Sequence, residues 1–278
     1  MKHNLNKDIK VLKAQDHVLT GEFFNIYLDS NTGIFWTSIK KDHNHLKYYM
    51  SEKYIPHSNK KGFFGYIYSV SQSIMFLYKR NILKKYLSPK CHILDYGSGD
   101  GKFADYLNKE GFKTSKYDPI KDRLKKTQET DYQLDMIMLW HVLEHIPDLQ
   151  NTMKSLIFKL ENKGTFVIAL PNRDSLDSKI FKEKWAAWDV PRHLYHFNHD
   201  SIIKLMNSYG FFLKSKHPLF LDAFYVSYLS AKIKKSKLPR SIRGGAAQIW
   251  VCVCVVLWLG NQGHAPPSPQ RHHQALEK

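Results

Sequence analysis

The feature that most constrains the fold of this chain is a glycine-rich turn near its middle. The segment Asp95-Tyr-Gly97-Ser-Gly99-Asp-Gly101 follows an apolar run that ends at Leu94, and the residues after it have helical spacing. Glycines between a strand and a helix let backbone N–H groups approach a bound molecule closely. The dinucleotide fingerprint G-x-G-x-x-G does not fit, because Lys102 stands where its third glycine would be. The sequence therefore predicts an α/β fold with a site for a cofactor that is not a dinucleotide.

Two downstream segments lie in the order that an open parallel sheet requires. Asp118 stands near the end of a second predicted strand, where α/β nucleotide sites place a ribose-binding acid. A surface turn made by Asp118-Pro119 is the alternative interpretation. A buried strand is predicted from Met136 to Leu139, followed by a polar loop and a helix from Leu149 to about Leu160.

A third segment predicts the next strand. Lys163-Gly164 is interpreted as a turn that leads into a fully apolar strand, which ends at the Pro171-Asn172 step. With the preceding segments, this gives alternating strands and helices and predicts a parallel sheet.

The acidic-x-G-x-G-x-G pattern resembles the first motif of class I S-adenosylmethionine-dependent methyltransferases. The run from Trp140 to Asp148, which contains Leu143-Glu144-His145, resembles the fourth-strand segment of the branch that includes ubiquinone-biosynthesis O-methyltransferases. The resemblance runs from about Asp16 to about Lys237. It implies S-adenosylmethionine as cofactor, with its ammonium facing a strand-end carboxylate, and these binding residues: Asp95, Gly97, Ser98, Gly99, Gly101, Asp118 and Trp140.

The segment Trp185 to Phe197 narrows the resemblance to a bacterial branch with a "W…D.PRHLyhF" signature. In that branch an insertion, here residues 176–200, covers the active site. Imidazole titrates near neutral pH, so four histidines are candidate bases for the acceptor's proton, with a structural role as the alternative for each: His141, His145, His193 and His196. We favour His141 or His193, because each follows a segment that the resemblance places at the pocket. The implied substrate contacts are Asn172, Arg192, Tyr195 and His196. A packing corner with a salt bridge from Asp189 to Arg192 is the alternative interpretation of this segment.

The resemblance implies an α/β, Rossmann-like class I methyltransferase sheet with helices on both faces and a small N-terminal appendage. The expected organisation is an N-terminal region over residues 1–62, a methyltransferase domain over 63–242 and an anomalous tail over 243–278. A helix from about Phe64 to Leu87 is expected to cover the sheet edge and the cofactor site.

The N-terminal region resembles a degenerate zinc ribbon. Members of the branch often carry Cys-x-x-Cys where this chain has Asp29 and Thr32. Structural zinc requires four thiolate or imidazole ligands. Four histidines nearby have no recognisable ligand spacing, and we expect no metal: His17, His43, His45 and His57.

Two stretches depart from the family pattern. The stretch from Pro119 to Asp135 is short for a helix, a strand and a loop, and Asp131 is the acid best placed for an adenine subsite. From Gly244 onward the composition changes abruptly, which is typical of a frameshift or a non-native tail. The apolar run Ile249 to Trp258 is too short for a bilayer span and β-branched enough to serve as the sheet's seventh strand.

Composition limits the remaining function classes. The net charge is +17, but the lysines are scattered, so a nucleic-acid partner is possible and not favoured. The amino-terminal residues lack an apolar signal core, and the three cysteines do not form a disulfide framework, so a bacterial cytoplasmic setting is expected. We expect methyl transfer to a small-molecule or lipid-like acceptor. The alternatives are a nucleic-acid or protein methyltransferase and a degenerate cofactor-binding protein without turnover. The sequence does not indicate an oligomeric state.

Overall fold

The computed structural model describes residues 8–39, 48, 63–88, 90–120, 133–235 and 252–259. Within these residues the strands form two sheets. The strands are β1 (Ile9–Gln15), β2 (Phe23–Leu28), β3 (Phe35–Thr37), β4 (His92–Tyr96), β5 (Lys113–Tyr117), β6 (Leu134–Trp140), β7 (Leu160–Pro171), β8 (Tyr195–His196), β9 (Phe211–Pro218) and β10 (Cys252–Leu259). The helices are α1 (Phe63–Leu83), α2 (Lys102–Lys109), α3 (Leu149–Phe158), α4 (Leu176–Phe181), α5 (His199–Asn207) and α6 (Phe220–Ile233).

The larger sheet has the strand order β5-β4-β6-β7-β10-β9. Strands β5, β4, β6 and β7 are parallel, whereas β10 pairs antiparallel with both β7 and β9. Because the carboxyl ends of the parallel strands lie at one edge, the loops that follow β4, β5 and β6 meet there. This edge contains the glycine turn.

Helices cover both faces of this sheet, as the sequence predicts. In β6, Met136 and Met138 pack into the core on the face shared with α1, α2 and α6. Ile137 and Leu139 pack into the core on the opposite face, with α3 and α5. Alternate side chains of a strand point to opposite faces, so a strand buried on both sides reads as a continuous apolar run.

Most element boundaries agree with the sequence-based expectations. Helix α1 ends at Leu83 rather than Leu87, and α3 ends at Phe158 rather than Leu160. The expected turn at Gly164 is wrong. Gly164 lies inside β7, where the β6–β7 register is irregular and a Cβ would collide with the side chain of Leu160.

The smaller sheet joins the N-terminal region to the insertion. Its order is β1-β2-β3-β8, with antiparallel pairs, and β8 belongs to residues 176–200. In the turn after β2, the Asp29 carboxylate accepts hydrogen bonds from the N–H groups of Asn31 and Thr32. The Thr32 hydroxyl accepts one from Ile34 N, and Gly33 has φ +72°. Hydrogen bonds therefore close the turn at the two positions where the resembling branch carries cysteines.

The tail contributes one described strand, β10. It lies between β7 and β9, the place expected for a substitute seventh strand, and Val255, Val256 and Leu257 are buried there. The predicted positions at His43, His45, His57 and Asp131 lie outside the described residues. Among the helices that are described, none is both long and apolar enough to cross a bilayer.

Candidate active site

The glycine turn has the backbone geometry that its sequence predicts. β4 ends at Tyr96 and α2 begins at Lys102, and the three glycines between them have positive φ: Gly97 +80°, Gly99 +58° and Gly101 +74°. Side-chain-bearing L residues rarely adopt these values, which explains the glycines at these positions. Gly97 N and Ser98 N donate to the carbonyl of Tyr117 at 2.7 and 3.1 Å, so the turn is fixed to the end of β5.

Two carboxylates converge on this turn. Asp118, directly after β5, accepts a 2.9 Å hydrogen bond from Gly99 N. Asp95 lies in β4 and is 3% exposed. Burial raises the pKa of Asp95 to about 7; the nearby Lys79 opposes this change and Asp118 adds to it. Burial therefore makes the charged form of Asp95 costly, and a cation nearby would stabilise it.

The side chain of Lys79 contacts the ring of Trp140, and its charge acts on Asp95. The Nζ of Lys79, on α1, lies 4.3 Å from the ring centroid of Trp140, a cation–π distance. The ring of Phe103 on α2 meets Trp140 edge-on with centroids 5.8 Å apart. The sequence predicted that α1 covers the site, but nothing distinguished Lys79 from the many other lysines.

His141 follows β6 and is held between two carboxylates. Its Nε2 lies 3.2 Å from Oδ2 of Asp222, and its Nδ1 lies 3.6 Å from Oε1 of Glu144. Burial opposes the charged imidazole, but Asp222 and Glu144 outweigh this effect and raise the pKa of His141 to about 9. Asp222 was missed by the sequence analysis, because it lies on α6, far along the chain from the motifs.

The second candidate base, His193, lies beside Glu144 and His145. The imidazole rings of His145 and His193 are 4.6 Å apart, edge to face. Burial is the largest influence on Glu144 and favours its neutral form, yet His141, His145 and His193 together lower its pKa. Burial and the neighbouring His193 lower the pKa of His145 to about 4.

Arg192 lies in a buried ion-pair corner. Its Nε is 3.0 Å from both carboxylate oxygens of Asp189, and its NH2 nitrogen lies 3.2 Å from Oδ1 of Asp16. Arg192 is fully buried and Asp16 is 1% exposed. The geometry agrees with the packing-corner interpretation and does not bring Arg192 to a cleft.

The other residues implied as substrate contacts lie near β8. The Nε2 of His196 is 2.9 Å from the Thr37 hydroxyl, and the hydroxyl of Tyr195 donates to Pro147 O at 3.4 Å. His196 and Tyr195 line a cleft with Glu144 and His193. Asn172 forms an isolated parallel β-bridge with Phe197 and lines a neighbouring cleft.

The structure therefore brings the predicted residues together in two groups. The cofactor group gathers at the carboxyl ends of β4, β5 and β6, and the histidine group follows β6 and enters from the insertion. Val142 connects the two groups. It directly follows His141, and its side chain packs against Gly97 in the space that a Cβ there would need.

Comparisons with known proteins show the family of the chain. Residues 67–215, more than half of the chain, match a family described as a methyltransferase domain. A ubiquinone biosynthesis O-methyltransferase of Rickettsia bellii is 28% identical, over 43% of this chain and 59% of the relative. The chain thus spans about three-fifths of the length of the curated relatives it matches.

Solved structures with a similar fold include two methyltransferases. The 1,6-didemethyltoxoflavin-N1-methyltransferase of Burkholderia thailandensis is 13% identical, with a TM-score of 0.48 over 89% of this chain and all of that one. A methyltransferase of Archaeoglobus fulgidus that depends on S-adenosylmethionine is 18% identical, with a TM-score of 0.42 over 67% of this chain and 93% of that one. From the family match we conclude that the chain belongs to the methyltransferase-domain family, with the α/β fold and the cofactor, S-adenosylmethionine, that its glycine turn predicts.

Proposed function

We propose that the protein transfers a methyl group from S-adenosylmethionine to a small-molecule or lipid-like acceptor in the bacterial cytoplasm. The observation that carries this proposal is the contact of Val142 with Gly97. It joins the cofactor turn to the segment that holds His141 and Glu144, so a methyl donor on the turn would face these side chains.

The residues at the turn fit this cofactor. Among the described residues, a Cβ on Gly99 would meet no atom within 4 Å, which leaves room there for a bound molecule. Asp95 offers a buried carboxylate to the cofactor's ammonium, and Asp118 lies beside Gly99 for the ribose hydroxyls. Trp140 supplies an aromatic ring next to Lys79, the lysine whose charge acts on Asp95.

The chemistry of the transfer itself belongs to the cofactor. An acceptor oxygen or nitrogen forms a bond to the methyl carbon, the S–C bond breaks with its electron pair left on sulfur, and the acceptor's proton must leave. The protein aligns the acceptor and receives this proton. Both ring nitrogens of His141 face carboxylates, which suits a positioning residue, whereas His193 lines the cleft and suits contact with the acceptor.

A lipid-like acceptor is supported by the surface of α6. Four of its aromatic side chains are about half exposed: Phe220, Phe224, Tyr225 and Tyr228. The same helix carries Asp222, the partner of His141. An apolar acceptor approaching along α6 would thus arrive beside the proposed methyl-transfer site.

We also propose that the N-terminal region is a ribbon that has lost its metal. The support is the turn at Asp29 and Thr32, where side-chain hydrogen bonds hold the turn closed, as the metal ion does in a zinc ribbon. On this proposal, residues 1–62 and the insertion stabilise each other through the shared small sheet.

The test of the proposed function is transfer of a radiolabelled methyl group. The full chain is incubated with labelled S-adenosylmethionine and, separately, with bacterial polar metabolites, lipids, RNA and proteins. We expect label in the metabolite or lipid fraction, and much less of it when Gly99→Ala replaces the wild type at a cofactor concentration below saturation. Label confined to RNA or protein would contradict the acceptor class, and cofactor binding without any transfer would indicate a binding protein.

Cofactor affinity is expected to depend on pH through Asp95. The free protein holds this carboxyl with a pKa raised to about 7, and a bound ammonium would lower it. Affinity for S-adenosylhomocysteine should therefore be constant above pH 7 and fall by up to about tenfold for each pH unit below it. Calorimetry between pH 5.5 and 8 measures this change, and Asp95→Asn should bind weakly with no such slope. A wild-type affinity that stays flat across this range would contradict the assignment.

A further inference from the structure

Three side chains with metal-binding atoms converge beside the cofactor turn. One oxygen of Glu144 and one ring nitrogen each of His145 and His193 all lie within 4.8 Å of one another. Glu144 and His145 belong to the short helix after β6, and His193 comes from the insertion. The backbone hydrogen bond from Leu194 N to Glu144 O, at 2.8 Å, holds the two segments together.

Hydrogen bonds orient both imidazoles in the same way. The Nδ1 of His145 lies 3.0 Å from the carbonyl oxygen of Arg192, and the Nδ1 of His193 lies 2.8 Å from that of Ala187. A carbonyl oxygen can only accept, so each Nδ1 carries the hydrogen. In a neutral ring Nε2 then has the lone pair. Metal-binding histidines are commonly fixed in this way, by donation from the other ring nitrogen.

Glu144 is the third donor. It is 1% exposed, and among the described residues neither of its carboxylate oxygens has a hydrogen-bond partner of normal length. The imidazole of His141 supplies a positive charge on one side, with its Nδ1 3.6 Å from Oε1 of Glu144. A buried carboxylate with few hydrogen bonds is stabilised by each further positive charge against it. The carboxylate oxygens therefore keep lone pairs that a metal ion between Glu144 and the other two histidines could use.

We propose that Glu144, His145 and His193 bind one divalent first-row transition-metal ion. Two imidazoles and one carboxylate suit zinc, manganese, iron(II) or cobalt, whereas magnesium and calcium prefer all-oxygen sites. Ligands of a tetrahedral zinc ion lie about 3.3 Å apart, so the side chains would close by up to about 1.5 Å on binding. Glu144, His193 and Trp185 line a small cleft beside the cluster.

The role of this ion rests on the proposed function. Three protein ligands leave coordination positions open toward the cleft, where a hydroxyl of the acceptor would bind. A bound divalent ion lowers the pKa of a coordinated oxygen acid. With His193 bound to the ion, the hydroxyl would release its proton to solvent instead of to this imidazole, and the resulting oxygen would accept the methyl group as the S–C bond breaks. The sequence-based expectation of no metal considered only spacing along the chain, and His193 is too distant from Glu144 for that pattern to reveal it.

Cobalt titration of the full chain, without cofactor or acceptor, tests the site. Every variant carries alanine at His272 and His273, because adjacent histidines bind cobalt by themselves. The test variants are His193→Gln and Glu144→Gln. The matched control is His199→Gln, which removes a histidine that lies 3.3 Å from the carboxylate of Asp200 outside the cluster.

We expect one cobalt ion per chain, seen by its visible absorption. Loss of an outer contact to a metal ligand typically weakens affinity 10–100-fold, so loss of a ligand in His193→Gln or Glu144→Gln should weaken it by at least about 100-fold. The control should bind as the parent does. Equal losses in His199→Gln and His193→Gln, or parental binding by His193→Gln, would overturn the site.

A second measurement separates this proposal from the proposed function. Methyl transfer that continues at full rate in a strong chelator would overturn the role of the ion and leave the proposed function intact. Cobalt binding by the cluster without methyl transfer to any fraction would leave the metal site intact and overturn the proposed function. Transfer that stops in chelator and returns with added zinc or manganese would support both.

Discussion

Replacing Arg192 with alanine is expected to lower the free energy of unfolding by about 3–5 kcal/mol, the usual cost of removing one partner from a buried ion pair. The guanidinium is fully buried and contacts the carboxylates of Asp189 and Asp16, so alanine would leave two acidic groups without their cation. Denaturant unfolding measures the change. The loss is expected to include the contact between the N-terminal region and the insertion, since Asp16 and Asp189 belong to these two segments.

The matched control is Arg80→Ala. Arg80 pairs with Glu110 near the surface, and both side chains are partly exposed. Exposed pairs contribute about 0–1 kcal/mol, so this variant should remain close to wild-type stability. An Arg192→Ala variant with wild-type stability and no methyl transfer would contradict the packing-corner interpretation. It would support the substrate contact that the resemblance implies.

Replacing Gly99 with alanine is expected to abolish most cofactor binding while the protein remains folded. Among the described residues, a Cβ on Gly99 meets no atom within 4 Å, so the methyl group would enter the space proposed for the cofactor. Overfilling a packed contact costs about 1–3 kcal/mol, which corresponds to a loss of affinity of about 5- to 150-fold. Calorimetry with S-adenosylhomocysteine gives the affinity, and thermal unfolding verifies the fold.

Gly111→Ala is the control for backbone strain. Gly111 also has a positive φ, +90°, and open space around its Cβ position, but it lies in the turn between α2 and β5, away from the carboxyl ends of the strands. Alanine at a left-handed position costs about 1–2 kcal/mol in either place. Equal affinities for the two variants would contradict the location of the cofactor site.

The geometry of the glycine turn was predictable because its signals are local. Glycines at a strand-to-helix turn indicate positive φ. The carboxyl ends of neighbouring parallel strands lie at the same edge of the sheet, so an acid that follows the next strand lies beside the turn. The hydrogen bond from Gly99 N to Asp118 is the outcome of this rule. The family resemblance and the β-branched run Ile249 to Trp258 indicated a substitute seventh strand, and β10 pairs antiparallel with β7 within this run.

The histidine group of the site depends on contacts between distant segments. The partner of His141 is Asp222 on α6, and Glu144 meets His193 only because the insertion returns to the end of β6. The Arg192–Asp16 pair joins the N-terminal region to the same insertion. Spacing along the chain carries no signal for such pairs, so the sequence indicated candidate histidines without their partners.

The most direct test of the central claim is a calorimetric comparison of S-adenosylhomocysteine with NAD on the wild-type chain. The glycine turn with Asp95 and Asp118 predicts one molecule of S-adenosylhomocysteine bound per chain and no binding of NAD. Binding of NAD with none of S-adenosylhomocysteine would contradict the assignment of the turn and the proposed function that depends on it.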